Sequence, residues 1–248
     1  MTTSDYKNAL VTGASSGIGK AMVKALTDRN ITTYALARRR ELLEDLQSET
    51  NCIPITLDLR DKEAIDIQLS NLEVDILINN AGHGRSEGPL HEANVESVYD
   101  MVQTNLTSAM HLVRTLTPRM ISKNRGHIVM IGSVSGLHPI QQSIYGATKA
   151  AIHMLCQNLR IELLGKGIRV TEICPARTNT DFFKTAFGKK VAEDLINRFE
   201  PLEPTDICDA ILHAIQAPQR VNITTIEMTA TDQAVGGLQS GDTGNAYK

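Results

Sequence analysis

A glycine-rich turn near the amino terminus restricts the fold of this chain more than any other segment. A short apolar strand, Asn8-Ala-Leu-Val, is followed by Thr12-Gly-Ala-Ser-Ser-Gly-Ile-Gly and by a helical run to about Arg29. The glycines have the spacing Gly-x3-Gly-x-Gly, which differs from the common dinucleotide fingerprint GxGxxG. Glycines let the backbone turn tightly and approach a pyrophosphate, whose charge is favourable at a helix N-terminus. Such a segment can be only a turn, but its position between the first strand and the first helix favours nucleotide binding.

The second predicted strand, Ile31 to Ala37, is followed by three consecutive arginines. An NAD enzyme has an acidic residue near this strand end to bind the ribose 2′-hydroxyl, whereas arginine suits a 2′-phosphate. Here the acid is absent. We interpret Arg40 as the solvated start of a helix, and Arg38 and Arg39 as ligands of a phosphate. The pattern therefore predicts NADP(H) rather than NAD(H) as the cofactor.

Tyr145 and Lys149 are the clearest candidates for proton transfer. They lie in a helical pattern from Ser143 to Leu155 and, being four residues apart, they share one face. A tyrosine has a pKa of about 10, so proton transfer near pH 7 needs a decrease of about 3 units, or roughly 4 kcal/mol. One ammonium about 4 Å away, at an effective dielectric constant of about 20, supplies that much. Taken alone, the two residues are more simply a half-exposed aromatic and a solvated charge, but Ser133 ends a short buried strand just before them.

Further motifs follow the other predicted strands in the same order. Asp58-Leu59 ends the third strand, Asn79-Asn80-Ala81-Gly82 ends the fourth, and Asn105 lies in a helical stretch after it. Together with the glycine turn and the Ser133, Tyr145 and Lys149 set, these motifs resemble the short-chain dehydrogenase/reductase family over about residues 7 to 230.

The resemblance implies a single domain, residues 1–248, with an α/β fold: a Rossmann-like, doubly wound parallel sheet of about seven strands with helices on both faces. It also implies an NADP-dependent oxidoreductase that interconverts an alcohol and a carbonyl by hydride transfer. Tyr145 would be the acid/base, and Ser133 would hold the carbonyl oxygen. Lys149 would favour tyrosinate and bind the nicotinamide ribose, while Asn105 would support a water relay. The implied cofactor-binding residues are Gly13, Ser15, Ser16, Gly17, Ile18, Gly19, Arg38, Arg39, Asp58, Leu59, Asn80, Ala81, Gly82, Tyr145, Lys149, Pro175, Thr178 and Thr180.

Two positions leave alternatives open. In the family, an acid at the end of the third strand contacts the adenine edge, but Asp58 could also cap the following helix. The family usually has Pro-Gly after the sixth strand, where this chain has Pro175-Ala176. Alanine does not tolerate positive φ as glycine does, so either Thr178 or Thr180 could face the cofactor.

The segment 181–204 corresponds to the substrate lid of the family and contains all four phenylalanines. Any one of these could equally be a core or subunit contact. We expect Arg177, His138 and Phe182 to contact the substrate. Basic residues surround them, which predicts an anionic substrate; they are His83, Arg85, Lys184, Lys189 and Lys190. Solvated loop charges, or an Arg177 that binds the pyrophosphate, are equally good interpretations. The predicted strand 221–228 resembles that of family members acting on serine, 3-hydroxy acids or small sulfonated aldehydes.

Composition limits the remaining possibilities. The length of 248 residues suits one large α/β domain, and the net charge of −3 argues against a general nucleic-acid binder. Four scattered cysteines, at positions 52, 156, 174 and 208, predict buried free thiols and no metal site. No signal peptide or membrane span is recognisable, so we expect a cytoplasmic protein that binds a small molecule, without nucleic acid or membrane partners.

The predicted helices at 90–123 and 145–165 carry apolar residues beyond one sheet-facing stripe, Leu155, Leu159 and Leu163 among them, which indicates a second packing partner. In the family these two helices pair with their copies across a two-fold axis, so the resemblance implies a homodimer or homotetramer. The tail 240–248 is polar and glycine-containing and is expected to be loose.

Two other functions remain as alternatives: reduction of a neutral ketone or aldehyde, and nucleotide sensing without turnover. Because all four catalytic positions are filled, the sensing module is the weaker of the two.

Overall fold

The computed structural model describes residues 6–84, 89–140, 142–190 and 199–233. In these residues, seven strands form one parallel sheet in the order β3-β2-β1-β4-β5-β6-β7. The fold class predicted from the sequence is therefore confirmed, whereas the tail 240–248 lies outside the described residues. The strands are β1 (Asn8–Thr12), β2 (Thr32–Ala37), β3 (Ile53–Thr56), β4 (Ile76–Asn79), β5 (Gly126–Ile131), β6 (Ile168–Pro175) and β7 (Thr225–Met228).

Helices cover both faces of the sheet. On one face, Val11 of β1 packs in a cluster with Met22 and Ile211, and Leu10 belongs to a second cluster with Leu112 and Ile152. Successive side chains of a strand point to opposite faces, so a strand buried on both sides reads as a continuous apolar run. The helices are α1 (Gly17–Thr27), α2 (Arg40–Thr50), α3 (Lys62–Leu69), α4 (Val95–Val102), α5 (Ser108–Ser122), α6 (Ser143–Glu162), α7 (Asp181–Phe187) and α8 (Pro204–Gln216).

The strand order reverses at β1, which lies between β2 and β4. In open α/β sheets, ligands bind in the crevice at such a switch point, outside the carboxyl ends of the strands. The glycine turn follows β1, the arginines follow β2, the Asn-Asn motif ends β4 and Ser133 follows β5. The topology thus brings these four motifs to one edge of the sheet.

A π-helical turn, Gln103–Thr107, joins α4 to α5. The sequence predicts one or two helices over 90–123, and the structure shows α4 and α5 continuing through this turn without leaving helical backbone angles. Asn105 lies at the centre of the turn and is buried. A π turn inserts one extra residue and re-aims side chains, which is why such turns recur at functional sites.

The structure decides two questions that the sequence leaves open, the backbone conformation at Ala176 and the capping role of Asp58. Among the described non-glycine residues, positive φ occurs only at Asn30, Asn51 and Asn124, so Ala176 adopts an ordinary conformation where the family has glycine. The idea that Asp58 caps the following helix is wrong. The carboxylate of Asp61 accepts the hydrogen bond from the amide of Ala64 and caps α3 instead.

The outward apolar face of α6 consists of other residues than those named from the sequence. Leu159 and Leu163 are buried in the core, and Leu155 packs against it. Their spacing of four residues keeps them on the face that looks toward the sheet. The exposed apolar side chains of α6 are Met154 and Ile161, with relative exposures of 53% and 68%.

All four cysteines are buried free thiols, as predicted. Burial raises the pKa of Cys156 and of Cys208, each to about 12. Within the ranges that the structure describes, no helix has the length and apolar character needed to span a membrane.

Candidate active site

A cavity of about 1260 Å³ opens at the carboxyl ends of the central strands. Of the site residues predicted from the sequence, Gly19, Asn105 and His138 are not among its lining. The other predicted residues are brought together around it: Gly13, Ser15, Ser16, Gly17, Ile18, Arg38, Arg39, Asp58, Leu59, Asn80, Ala81, Gly82, Ser133, Tyr145, Lys149, Pro175, Arg177, Thr178, Thr180 and Phe182.

The glycine turn is packed directly against the Asn-Asn motif. Gly13 has a φ of +66°, and a β-carbon there would lie 2.8 Å from Nδ2 of Asn80. Asn80 Nδ2 donates to the Thr12 carbonyl at 2.8 Å, and Thr12 Oγ1 accepts from the amides of Asn80 and Ala81. A β-carbon on Gly19 would collide with the Gly13 carbonyl, so Gly19 serves the close approach of α1 to the turn rather than the cavity wall.

The two arginines after β2 have different surroundings. The Arg39 guanidinium donates to Ser15 Oγ at 2.8 Å and to Ser16 Oγ at 3.0 Å, and so lies over the glycine turn. Arg38 lines the cavity and is exposed. Arg40 instead points away into an exposed ion pair with Glu44 at 2.7 Å, as expected for the solvated start of a helix.

A series of polar contacts links Asp58 to His83, and both residues line the cavity. Arg60 contacts Asp58 and Asp100, each at 2.6 Å, and Asp100 Oδ2 lies 3.0 Å from His83 Nε2. The hydrogen bond from Arg60 lowers the pKa of Asp58, so this carboxylate stays charged. Burial lowers the pKa of His83, against the opposing effect of Asp100.

Ser133 and Tyr145 are neighbours in the lining of the cavity. The tyrosine hydroxyl is within hydrogen-bonding reach of Ser133 and Ser135, and the two serine hydroxyls lie 2.6 Å apart. Burial raises the pKa of Tyr145 to about 12, and the serine hydrogen bonds offset only part of this increase. Ser135 was missed from the sequence, although it stands two residues after Ser133 in a Ser-Val-Ser segment.

The predicted depression of the Tyr145 pKa is wrong, because burial raises this pKa instead. The Lys149 ammonium donates to the Ile131 carbonyl at 2.7 Å, and its nitrogen lies 5.8 Å from the centre of the Tyr145 ring. Burial also lowers the pKa of Lys149 to about 8. The one-turn spacing gives proximity, but the carbonyl at the end of β5 competes for the ammonium and burial disfavours tyrosinate.

Asn105 holds the loop after β4 against α6. Its Oδ1 accepts from the His83 amide at 2.9 Å, and its Nδ2 donates to the His83 carbonyl and to Thr148 Oγ1. A β-carbon on Gly82 would lie 3.1 Å from Asn105 Oδ1 and 3.8 Å from Lys149 Nζ. Glycine at position 82 therefore allows the loop, the π turn and Lys149 to approach one another.

The three residues predicted to contact the substrate do not form one group. Phe182 lies against Tyr145, with ring centres 5.4 Å apart, and Arg177 is buried with its guanidinium 5.2 Å from the centre of the Phe199 ring. His138, by contrast, lies 2.7 Å from Glu227 and outside the cavity lining, so the expectation that it contacts substrate is not supported. Arg85 lies outside the described residues.

The two threonines after β6 are both at the cavity. Thr178 Oγ1 donates to the Ala176 carbonyl at 3.2 Å. Thr180 caps α7, and its Cγ2 would lie 3.1 Å from a β-carbon on Gly17. Thr180 is therefore the threonine that packs on the glycine turn.

Comparison with known proteins agrees with this arrangement. The family model described as short chain dehydrogenase matches residues 7–190. The chain belongs to the short-chain dehydrogenase family. An uncharacterised short-chain type dehydrogenase/reductase of Sinorhizobium fredii is 38% identical to it, over 94% of this chain and 95% of the relative. The NADP-dependent 3-hydroxy acid dehydrogenase YdfG of Escherichia coli K12 is 36% identical, over 92% and 97% of the two chains.

Among solved structures, the closed form of a serine dehydrogenase complexed with NADP+ is similar, with a TM-score of 0.89 and 35% identity. The match covers 94% of this chain and 98% of that one. A serine dehydrogenase from Escherichia coli matches with a TM-score of 0.80 and 33% identity, over 92% and 99% of the two chains. These two solved structures have the same fold as this chain, and each match extends over nearly the full length of both proteins.

Proposed function

We propose that this protein is an NADP(H)-dependent oxidoreductase that interconverts an alcohol and a carbonyl on a small substrate. The observation that carries the proposal is the shared cavity. Its lining runs from Gly13 and Arg39 at one end to Ser133 and Tyr145 at the other, so a nucleotide and a proton donor can meet in one space. A single domain and a cytoplasmic location are part of the same proposal.

The residues at the glycine turn suit a dinucleotide. Gly13 and Gly17 both have positive φ, and a side chain at Gly13 would fill the space next to Asn80, so only glycine leaves the backbone amides open to a phosphate. A nicotinamide cofactor bound there would supply or accept the hydride. Its adenine end would be held by Asp58 and Leu59. The other residues proposed to hold it are Ser15, Ser16, Ile18, Arg38, Arg39, Ala81, Gly82, Lys149, Pro175, Thr178 and Thr180.

The proton is proposed to move through Tyr145. In the reducing direction its hydroxyl donates to the carbonyl oxygen, while Ser133 donates a second hydrogen bond to the same atom as negative charge develops there. Lys149 stabilises the tyrosinate that remains, because a buried ammonium nearby favours the anion. Asn105 is proposed to support the water relay beyond Lys149.

An anionic substrate, such as a hydroxy acid or its aldehyde counterpart, is the finer proposal. The named relatives act on 3-hydroxy acids and on serine, which carry a carboxylate. In this chain, Arg177 lines the cavity and is buried. A guanidinium binds a carboxylate bidentately, whereas a neutral ketone offers it no charge to bind.

The Arg177 proposal predicts a change in selectivity rather than a uniform loss. We expect Arg177→Ala to reduce kcat/KM for anionic substrates by about 10- to 100-fold relative to neutral analogues, since a charged hydrogen bond is lost. The ratio of the two kcat/KM values is the measurement, because it cancels any general damage to the fold. Lys184→Ala is the control, since Lys184 is half exposed and bonded to Asp181. An unchanged ratio in Arg177→Ala would contradict the proposal.

The function itself is tested by following NADPH oxidation across anionic and neutral aldehydes and ketones, and NADP+ reduction across hydroxy acids. Turnover of neutral carbonyls alone would favour the alternative of a neutral ketone or aldehyde reductase. Cofactor binding without turnover across the whole panel would favour a nucleotide-sensing module.

We also propose a homodimer or homotetramer. Besides those of α6, exposed apolar side chains lie on α4 and α5, where Tyr99 is 68% and Met110 is 49% exposed. We expect light scattering at micromolar concentration to give the mass of a dimer or a larger oligomer. Met110→Glu should weaken the association of the subunits. Ile67→Glu is the matched control, because Ile67 is 79% exposed on α3. A monomer of unmodified protein would contradict this prediction.

A further inference from the structure

A completely buried carboxylate lies behind the strand end that leads to Ser133. Glu172 of β6 has 0% relative exposure and pairs with Met130 of β5. A β-carbon on Gly132 would collide with its Oε1, so the carboxylate fills the space that glycine leaves at the end of β5. Burying a carboxylate is costly unless hydrogen bonds or an opposite charge compensate it.

His153 of α6 provides one such hydrogen bond. Its Nδ1 lies 2.6 Å from Glu172 Oε2, and its Nε2 lies 2.7 Å from Gln157 Nε2. An amide nitrogen only donates, so His153 Nε2 accepts and Nδ1 carries the proton toward Glu172. In this arrangement Glu172 is the acceptor at the end of the hydrogen-bonded chain.

Lys149 lies on the same face of α6, one turn before His153. The titratable groups that act on its ammonium from β6 and α6 are Glu172, Cys174 and Cys156, and the Tyr145 ring lies beside it. Burial raises the pKa of both thiols and that of Tyr145, so these three groups are neutral near pH 7. Within this set, Glu172 is the group that carries a charge.

We propose that Glu172, held by His153, is a positioning residue that keeps Lys149 charged from behind the active site. The inference rests on the role proposed above for Lys149. A buried ammonium loses its proton readily, and a nearby carboxylate opposes that loss. Removing the carboxylate favours deprotonation of Lys149 and of Tyr145 alike. As the pH is increased, kcat/KM for carbonyl reduction should therefore begin to fall at a lower pH than in the unmodified enzyme.

The test is the pH dependence of kcat/KM for carbonyl reduction. Burial of Lys149 lowers its pKa to about 8. We therefore expect kcat/KM of the unmodified enzyme to fall as the pH increases through about 8, and we call this fall the alkaline limb of the pH profile. In Glu172→Gln, which keeps the shape of the side chain, the limb should move down by about one pH unit or more. A purely structural defect would lower kcat/KM by one factor at every pH. Asp66→Asn is the control, because Asp66 pairs with His111 at 2.9 Å on the surface, and its limb should not move.

A second variant tests the pair as a unit. His153→Leu leaves Glu172 in place but removes its hydrogen bond, so the buried carboxylate loses the contact that compensates its charge and the limb should again move down. The double variant should shift no further than Glu172→Gln alone, because both changes act through the same carboxylate. Fully additive shifts, or an unmoved limb in Glu172→Gln, overturn the inference.

Lys149→Ala separates this inference from the proposed function. An inactive Lys149→Ala together with an unmoved limb in Glu172→Gln refutes only the role of Glu172. If Lys149→Ala retains the turnover of the unmodified enzyme, the proposed function of Lys149 fails, and the inference about Glu172 fails with it. Fluorescence titration of NADPH binding in each variant checks that the cofactor site is intact.

Discussion

Tyr145→Phe is expected to lower kcat about 1000-fold, because positioned acid–base groups typically contribute about 100- to 10,000-fold. The variant loses one oxygen atom and keeps the ring that packs on Phe182. Ser133 can still hydrogen-bond the substrate oxygen, but an aliphatic hydroxyl is a far weaker acid than a phenol and cannot replace it as the proton donor. NADPH binding should persist, since the glycine turn and the arginines are untouched.

Steady-state NADPH oxidation and a fluorescence titration of NADPH, run on the same preparation, measure the two effects separately. Tyr34→Phe removes the same atom from β2, away from the cavity lining, and should keep full turnover. If Tyr145→Phe retains more than about a tenth of the unmodified kcat, well above the range for loss of an acid, Tyr145 is not the proton donor.

The fold could be predicted because its motifs are local in sequence and stand at strand ends. The glycine turn after β1 and the Asn-Asn motif after β4 are each a short run of letters. In a parallel sheet all such runs arrive at one edge. Nothing beyond the order of strands and helices was needed to bring Gly13, Asn80 and Ser133 to a common cavity.

What sequence reasoning missed depends on packing between distant segments. The spacing of Tyr145 and Lys149 gave the correct helix face, but the Ile131 carbonyl that binds the ammonium comes from another element. His138 stands on a loop at the expected edge, yet Glu227 of β7 draws it outside the cavity lining. Glu172 could have been noticed as an acid inside an otherwise apolar strand, because buried acids are rare unless they are paired.

Cofactor choice is the second large effect that we expect. The unmodified enzyme should use NADPH at least about 10- to 100-fold better than NADH in kcat/KM, because charged hydrogen bonds to a 2′-phosphate contribute about 1.5–3 kcal/mol. Arg38 is exposed at the cavity, and Arg39 is already anchored on the hydroxyls of Ser15 and Ser16. Arg38 is therefore the arginine that can be changed without disturbing the glycine turn.

Arg38→Asp should narrow or reverse the preference, chiefly by raising KM for NADPH, because a carboxylate repels a phosphate and can accept from a ribose 2′-hydroxyl. Arg40→Ala is the matched control: it removes an adjacent positive charge that is engaged with Glu44, so the NADPH/NADH ratio should stay within about twofold, as for an exposed pair. Parallel measurements of kcat and KM with both cofactors give the ratio for each variant. An unmodified enzyme that prefers NADH, or an Arg40→Ala shift as large as that of Arg38→Asp, would show that a specific phosphate contact at Arg38 does not set cofactor choice.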